Sequence, residues 1–158
     1  TPEPLALPMT GTTLGERQAP VTDYRLEAQV GFVLRKVHQR ASEIFARVMA
    51  EFEVTPQQFS TLVKLDDMGE STQNRLGRLV AMDPATTQGV VNRLRKRGLI
   101  QVRPDPAHQR RLLVGLTAEG RVAAKRMRAR AHEVSEATLA PLSPGQRESL
   151  MHLLGLLE

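Results

Sequence analysis

The chain has 158 residues, with 22 Lys and Arg against 17 Asp and Glu and a formal net charge of +5. That length accommodates one domain with a sizeable core, and the basic balance favours an anionic partner such as nucleic acid. Cysteine is absent, which excludes disulfides, thiol redox sensing and Cys-based metal sites; aromatics are only 3 % with no Trp, which argues against a base-stacking platform for single strands.

Residues 1–22, rich in Pro, Gly and Thr, read as an N-terminal extension: a flexible tail, or a segment pinned against a partner subunit. They carry neither the basic n-region nor the apolar h-region of a secretory signal. No apolar run reaches the roughly 20 residues that span a bilayer, so a cytoplasmic protein without membrane contact is expected.

Asp23–Phe52 is predicted to be one long helix. Val30, Val33, Leu34, Val37, Ala41, Ile44, Phe45, Val48 and Phe52 follow helical periodicity. The stripe is wide enough for two neighbours, the chain's own core and a second subunit. Thr55 caps the next helix and Pro56 opens it; Phe59, Leu62, Val63 and Leu65 form its buried face, and Gly69 ends it. Ser71 or Thr72 caps a short third helix bearing Leu76, Leu79, Val80 and Met82.

Asp83–Gly120 carries most of the functional information. Asp83 is a helix cap and Pro84 suits the first helical position; Val90, Val91 and Leu94 recur at helical spacing, and Gly98 stops the run. Leu99–Arg103 alternates as a half-buried strand does. A Pro104-Asp105-Pro106 turn follows, with His108, Arg110 and Arg111 on its far side, and Leu112, Val114 and Leu116 alternate on the return. Helix, strand, basic hairpin and strand form the pattern of a winged helix: a mainly α fold with a small two- or three-stranded β wing. Thr117 caps a basic helix reaching to about Leu139, and Pro141 stops it. Ser143 opens a last helix whose Leu150, Met151, Leu153, Leu154, Leu156 and Leu157 face nearly all sides and call for a second packing partner, most simply another copy of the chain. The expected organisation is an extension (1–22), a helical dimerisation region (23–54 and 117–158) and a winged helix-turn-helix DNA-binding module (55–116), forming one compact domain overall.

The segment Asp105-Pro106-Ala107-His108-Gln109-Arg110-Arg111-Leu112-Leu113-Val114-Gly115-Leu116-Thr117-Ala118-Glu119-Gly120 resembles the wing of the MarR family of bacterial transcription regulators. That family's pattern is an Asp-Pro start, a wing-tip Arg, an alternating strand, then Leu-Thr-x-x-Gly. The Thr55-Pro56-Gln57-Gln58-Phe59 helix start and the Arg93-Leu94-Arg95-Lys96-Arg97-Gly98-Leu99-Ile100 stretch also match, and the similarity covers roughly Tyr24–Glu158. Leu34-Arg35-Lys36-Val37-His38-Gln39-Arg40-Ala41 is similar to a subgroup that controls breakdown of aromatic acids. Two positions depart from the pattern: His108 stands where a second Asp is common, and Gly89 where many relatives carry a bulkier, often basic, residue. The resemblance implies a homodimeric repressor that binds a pseudopalindromic duplex with half-sites about one helical turn apart. It further implies release by a small aromatic carboxylate or its coenzyme A thioester. An activator of the same fold and a winged-helix protein-interaction module are the alternatives.

Within this frame Ala85, Gln88, Gly89 and Asn92 share one face of the fourth helix, with Thr86 beside them. Gln and Asn can pair bidentately with adenine in a major groove; the plainer reading is a solvated face. Arg93, Arg95, Lys96 and Arg97 complement the dipole at that helix's C-terminus, and Arg93 and Arg95 are phosphate candidates. Arg75 and Arg78 are weaker candidates. Arg110 is expected to enter a narrow minor groove, or to pair with Asp105 across the turn, which would also aim it; Arg103 and Arg111 lie within reach of the DNA backbone. Arg35, His38, Arg40 and Phe59 are candidate ligand contacts, the alternatives being surface charge for the first three and core packing for Phe59. No nucleophile turn, phosphate loop or acid–base set appears, and His38, His108, His132 and His152 lack metal-ligand spacing, so neither enzyme activity, cofactor nor metal is expected.

Overall fold

The structure, a computed structural model, describes residues 24–158, with the side chain of Gln109 left out. The predicted extension, residues 1–22, and Asp23 lie outside the described residues. The predicted helix over 23–52 is in fact three pieces: a 3-10 turn at Leu26–Ala28, the helix α1 at Val30–Val48, and a second 3-10 turn at Ala50–Phe52. Upstream of Val30 the large apolar residues Tyr24 and Leu26 are exposed, so no burial within the chain holds that stretch helical. At the other end Glu53 adopts a left-handed conformation (φ 49°) that turns the chain into the next helix.

Helix α2 spans Pro56–Met68, and Thr55 and Gln58 form a reciprocal capping box at its start. Strand β1 is only Ser71–Thr72; helix α3 follows at Gln73–Leu79 and helix α4 at Pro84–Lys96. Strands β2 (Ile100–Asp105) and β3 (His108–Leu116) form the wing. The sheet order is β1-β3-β2, antiparallel throughout, so the wing hairpin gains a short third strand. Ser71 is therefore a buried strand residue, and Thr72 is the α3 cap. Helix α5 covers Ala118–Leu139 and α6 covers Pro144–Gly155, each opened by its predicted cap, Thr117 and Ser143.

One continuous core joins Phe45 of α1 and Met49 just after it to Leu62 and Leu65 of α2, Leu76 of α3, Val90, Val91 and Leu94 of α4, the sheet residues Ile100, Val114 and Leu116, and Ala124 and Met127 of α5. The C-terminal end of α1 and the first half of α5 thus share one core with the winged module. Leu112 departs from the expected strand alternation: it is 57 % exposed, because the hairpin there has run past the core.

The other halves of α1 and α6 remain uncovered. Val30, Val33, Leu34 and Val37 are exposed, as are Met151, Leu153, Leu156 and Leu157. Such concentration of large apolar residues at two chain ends exceeds the scatter expected of a monomer surface.

Candidate nucleic-acid interface

The fourth helix is fixed from its first residue. The Asp83 carboxylate accepts from the Thr86 backbone N–H (2.9 Å) and from the Thr86 hydroxyl. These bonds hold the Asp83 carboxyl below the usual aspartate value, the hydroxyl contact being the largest cause. Pro84 occupies the first turn, where no N–H is needed. Thr87, Val90, Val91 and Leu94 are buried, which leaves Ala85, Thr86, Gln88, Asn92, Arg93, Arg95 and Lys96 on the outer face.

Helix α3 lies close beneath. A Cβ on Gly77 would stand 2.5 Å from the Thr87 hydroxyl oxygen, so only glycine admits this approach. Thr87 cannot readily turn away: it is buried and donates to the Asp83 carbonyl at 2.8 Å. After α4, Gly98 takes φ +70° and redirects the chain into β2.

The wing is tied at its base and irregular at its tip. Arg103 meets Glu70 in a forked ion pair, Nε to Oε1 at 2.7 Å and Nη2 to Oε2. The Glu70 carboxyl is held below the usual glutamate value mainly by this hydrogen bond. Arg103 is therefore engaged by a carboxylate within the chain. Across the hairpin Pro104 faces Leu112 but Asp105 faces His108, so residues 109–111 lie between the two paired positions on β3. Irregularities of this kind re-aim side chains. Arg110 and Arg111 sit there, exposed. Asp105 accepts from the Ala107 N–H at 2.9 Å and so closes the turn; among the described residues no ion pair joins it to Arg110.

Between wing and α3 runs a cleft of 790 Å³ whose lining includes Glu70, Arg75, Arg78, Asp105, Arg110 and Arg111. Four arginines from two elements, α3 and β3, thus face one groove. Thr86 differs from its neighbours, because its hydroxyl is spent in the cap. Gly89 is half-buried, and Arg93 folds back over it: its Nη2 lies 3.4 Å from where a Cβ would be. Arg97 has another task. Its guanidinium donates to the Phe52 and Glu53 carbonyls, both at 2.8 Å, and fastens the end of α4 to the turn that follows α1. That partnership was not legible in sequence, since carbonyl acceptors leave no residue signature.

The four ligand candidates do not meet in one recess of the single chain. Arg35 stacks over Phe32, 5.3 Å from the ring centroid, and His38 is exposed. Arg40 borders a 540 Å³ recess lined chiefly by apolar residues of α1, α5, α6 and the loop between the last two, among them Val37, Leu139, Leu142 and Leu153. Phe59 packs edge-to-face on Phe45, with centroids 5.6 Å apart.

The MarR family profile matches residues 52–111. Over 133 residues, 84 % of this chain and 84 % of the relative, the sequence is 38 % identical to the HTH-type transcriptional repressor NicR of Pseudomonas putida. The chain belongs to the MarR family. A probable transcriptional regulator from Pseudomonas aeruginosa superposes with a TM-score of 0.81 at 47 % identity, covering 85 % of this chain and all of that one (100 %). Bordetella bronchiseptica BpsR, whose DNA binding is regulated by 6-hydroxynicotinic acid, superposes with a TM-score of 0.81 at 34 % identity, covering 85 % of this chain and 96 % of BpsR. As a MarR-family protein the chain is a winged-helix transcription regulator and not an enzyme. No described helix is long and apolar enough to cross a membrane.

Proposed function

We propose that this protein is a homodimeric repressor that binds a pseudopalindromic operator and leaves it when a small aromatic acid binds. The observation that carries the reading is the cleft between α3 and the wing into which Arg75, Arg78, Arg110 and Arg111 converge, in a module whose fourth helix leaves Gln88, Asn92, Arg93 and Arg95 exposed. In this reading Gln88 and Asn92 reach base edges from the major groove, beside Thr86 and Gly89. Arg75, Arg93, Arg95 and Arg111 meet phosphates, and Arg110 enters the minor groove.

The dimer is supported by the uncovered apolar faces of α1 and α6, which a twofold axis would bring against their copies. The effector class is supported by BpsR, which responds to 6-hydroxynicotinic acid, a hydroxylated aromatic carboxylate. Arg35, His38 and Arg40 lie on α1 and would meet such a carboxylate in a site that the second copy completes. Phe59 belongs to the supporting core. Release then follows from differential affinity, with the ligand favouring the conformer whose two α4 helices no longer match successive major grooves.

The experiment is a binding titration on the duplex upstream of the protein's own gene, with and without 6-hydroxynicotinic acid and a panel of aromatic acids and their coenzyme A thioesters. Preference for that duplex over an unrelated one, lost on adding one member of the panel, is expected. Preference that no compound relieves would discard the effector assignment and keep the DNA reading.

A further inference from the structure

The wing hairpin is supported by less than its length needs. Strand β1 pairs with β3 only at Ser71–Val114 and Thr72–Leu113; beyond Leu113 the hairpin has two strands, which alone are marginal in water. Arg103 faces Leu113, so it stands where the third strand runs out. At that point its guanidinium forks onto Glu70, and among the described residues this is the side-chain bond that ties residues 103–112 to the loop between α2 and β1.

Two glycines hold the carboxylate there. Gly69 takes φ +76°, a conformation that a side chain would strain, and sends the chain into Glu70. Gly115 has no positive φ, so its backbone does not require glycine, yet a Cβ there would lie 2.7 Å from Glu70 Cγ. Its missing side chain is the seat on which Glu70 rests. Glu70 also lines the cleft of Arg75, Arg78, Arg110 and Arg111, where an unpaired carboxylate would oppose a phosphate.

We propose that the Glu70–Arg103 pair, seated on Gly115, is a latch that fixes the wing against the helix-turn-helix and thereby positions Arg110 and Arg111 for DNA. The latch deepens the operator reading and rests on it for its DNA consequence; its effect on the wing itself stands without DNA. Glu70, Arg103 and Gly115 are positioning residues.

The test uses the full chain and four variants: Glu70→Gln, Arg103→Lys, Gly115→Ala and the double variant Glu70→Gln with Arg103→Lys. Lysine keeps the charge but cannot fork, and the added Ala methyl displaces Glu70 without altering any charge. Amide exchange without DNA is read at residues 103–112 against α4. Each single variant should speed wing exchange about fivefold, as losing an exposed forked pair would, with α4 unchanged. Preference for operator over unrelated duplex should fall about fivefold in each, and the double variant should be no worse than the worse single. Wild-type wing exchange in all three single variants would overturn the latch, as would losses that add in the double variant. If the wild-type protein shows no operator preference, the operator reading fails, while the exchange arm still decides the latch. Should a variant fail to fold, Glu70→Asp replaces it, keeping the charge and shortening the reach by one methylene, with the same expected exchange.

Discussion

Gly77→Ala tests how the two helices of the DNA-binding unit are set. The new methyl would sit 2.5 Å from Thr87 Oγ1 and 3.2 Å from the Met82 carbonyl oxygen. Thr87 is 1 % exposed and bonded to the Asp83 carbonyl at 2.8 Å, so relief comes from breaking that bond or parting α3 from α4. Overpacking costs about 1–3 kcal/mol. The gain from replacing glycine within a helix offsets up to about 1 kcal/mol. A net loss of about 1–2 kcal/mol should lower Tm by roughly 2–8 °C for a chain of this size, measured at fixed protein concentration because the chain is proposed to dimerise. Operator affinity should fall as well, since α4 is the element displaced. Thr87→Ala removes the clashing oxygen; alone it should destabilise by about 1–2 kcal/mol through the lost buried bond. Combined with Gly77→Ala it should cost less than the sum of the two by about 1 kcal/mol. The assay is thermal and urea unfolding of the four proteins in a double-mutant cycle. Wild-type stability in Gly77→Ala, or strict additivity in the double variant, would refute the close-approach argument.

Arg110→Ala should weaken operator binding by about 1–3 kcal/mol while leaving the dimer intact by sedimentation; unchanged binding would remove Arg110 from the interface. Deleting α6 and the residues after it should give a monomer or an insoluble chain, because the remaining α1 face loses its apolar partner; a soluble dimer would place the interface elsewhere. Acid should loosen the wing and the α5–α6 junction. Glu70 beside Arg103 and Glu136 beside Arg147 both titrate below the ordinary 4.5, so each pair's contribution is complete above that value and is lost as pH falls through the lower folded value. Urea midpoints of Glu70→Gln and Glu136→Gln should therefore depend less on pH in that acid window than the wild-type midpoint does, and identical slopes would contradict the pairing.

The local signals in the sequence were strong wherever a backbone group needed a side chain. Thr55, Asp83, Thr117 and Ser143 each accept the expected N–H, and the helices begin where those caps stand. Helical spacing likewise separates the buried Val90, Val91 and Leu94 from the outer face of α4. What sequence could not supply was interaction at a distance. Ser71–Thr72 is too short to show alternation and becomes a strand only because β3 lies alongside. The Glu70–Arg103 and Arg97–Phe52 contacts join residues 33 and 45 positions apart. Gly77 and Gly115 gave no local turn signal; their meaning is the space they leave for Thr87 and Glu70. The reading of 23–52 as one helix overstated α1, which begins only at Val30 and closes at Val48 before a 3-10 turn at Ala50–Phe52 and the left-handed Glu53.

The most direct test of the central claim is the salt dependence of binding to the upstream duplex, run beside an unrelated duplex of equal length. The expected result is specific binding whose affinity falls steeply with salt, a slope reduced by about one phosphate contact in Arg75→Ala, and release by an aromatic acid. Equal, weak affinity for both duplexes at every salt concentration would contradict it.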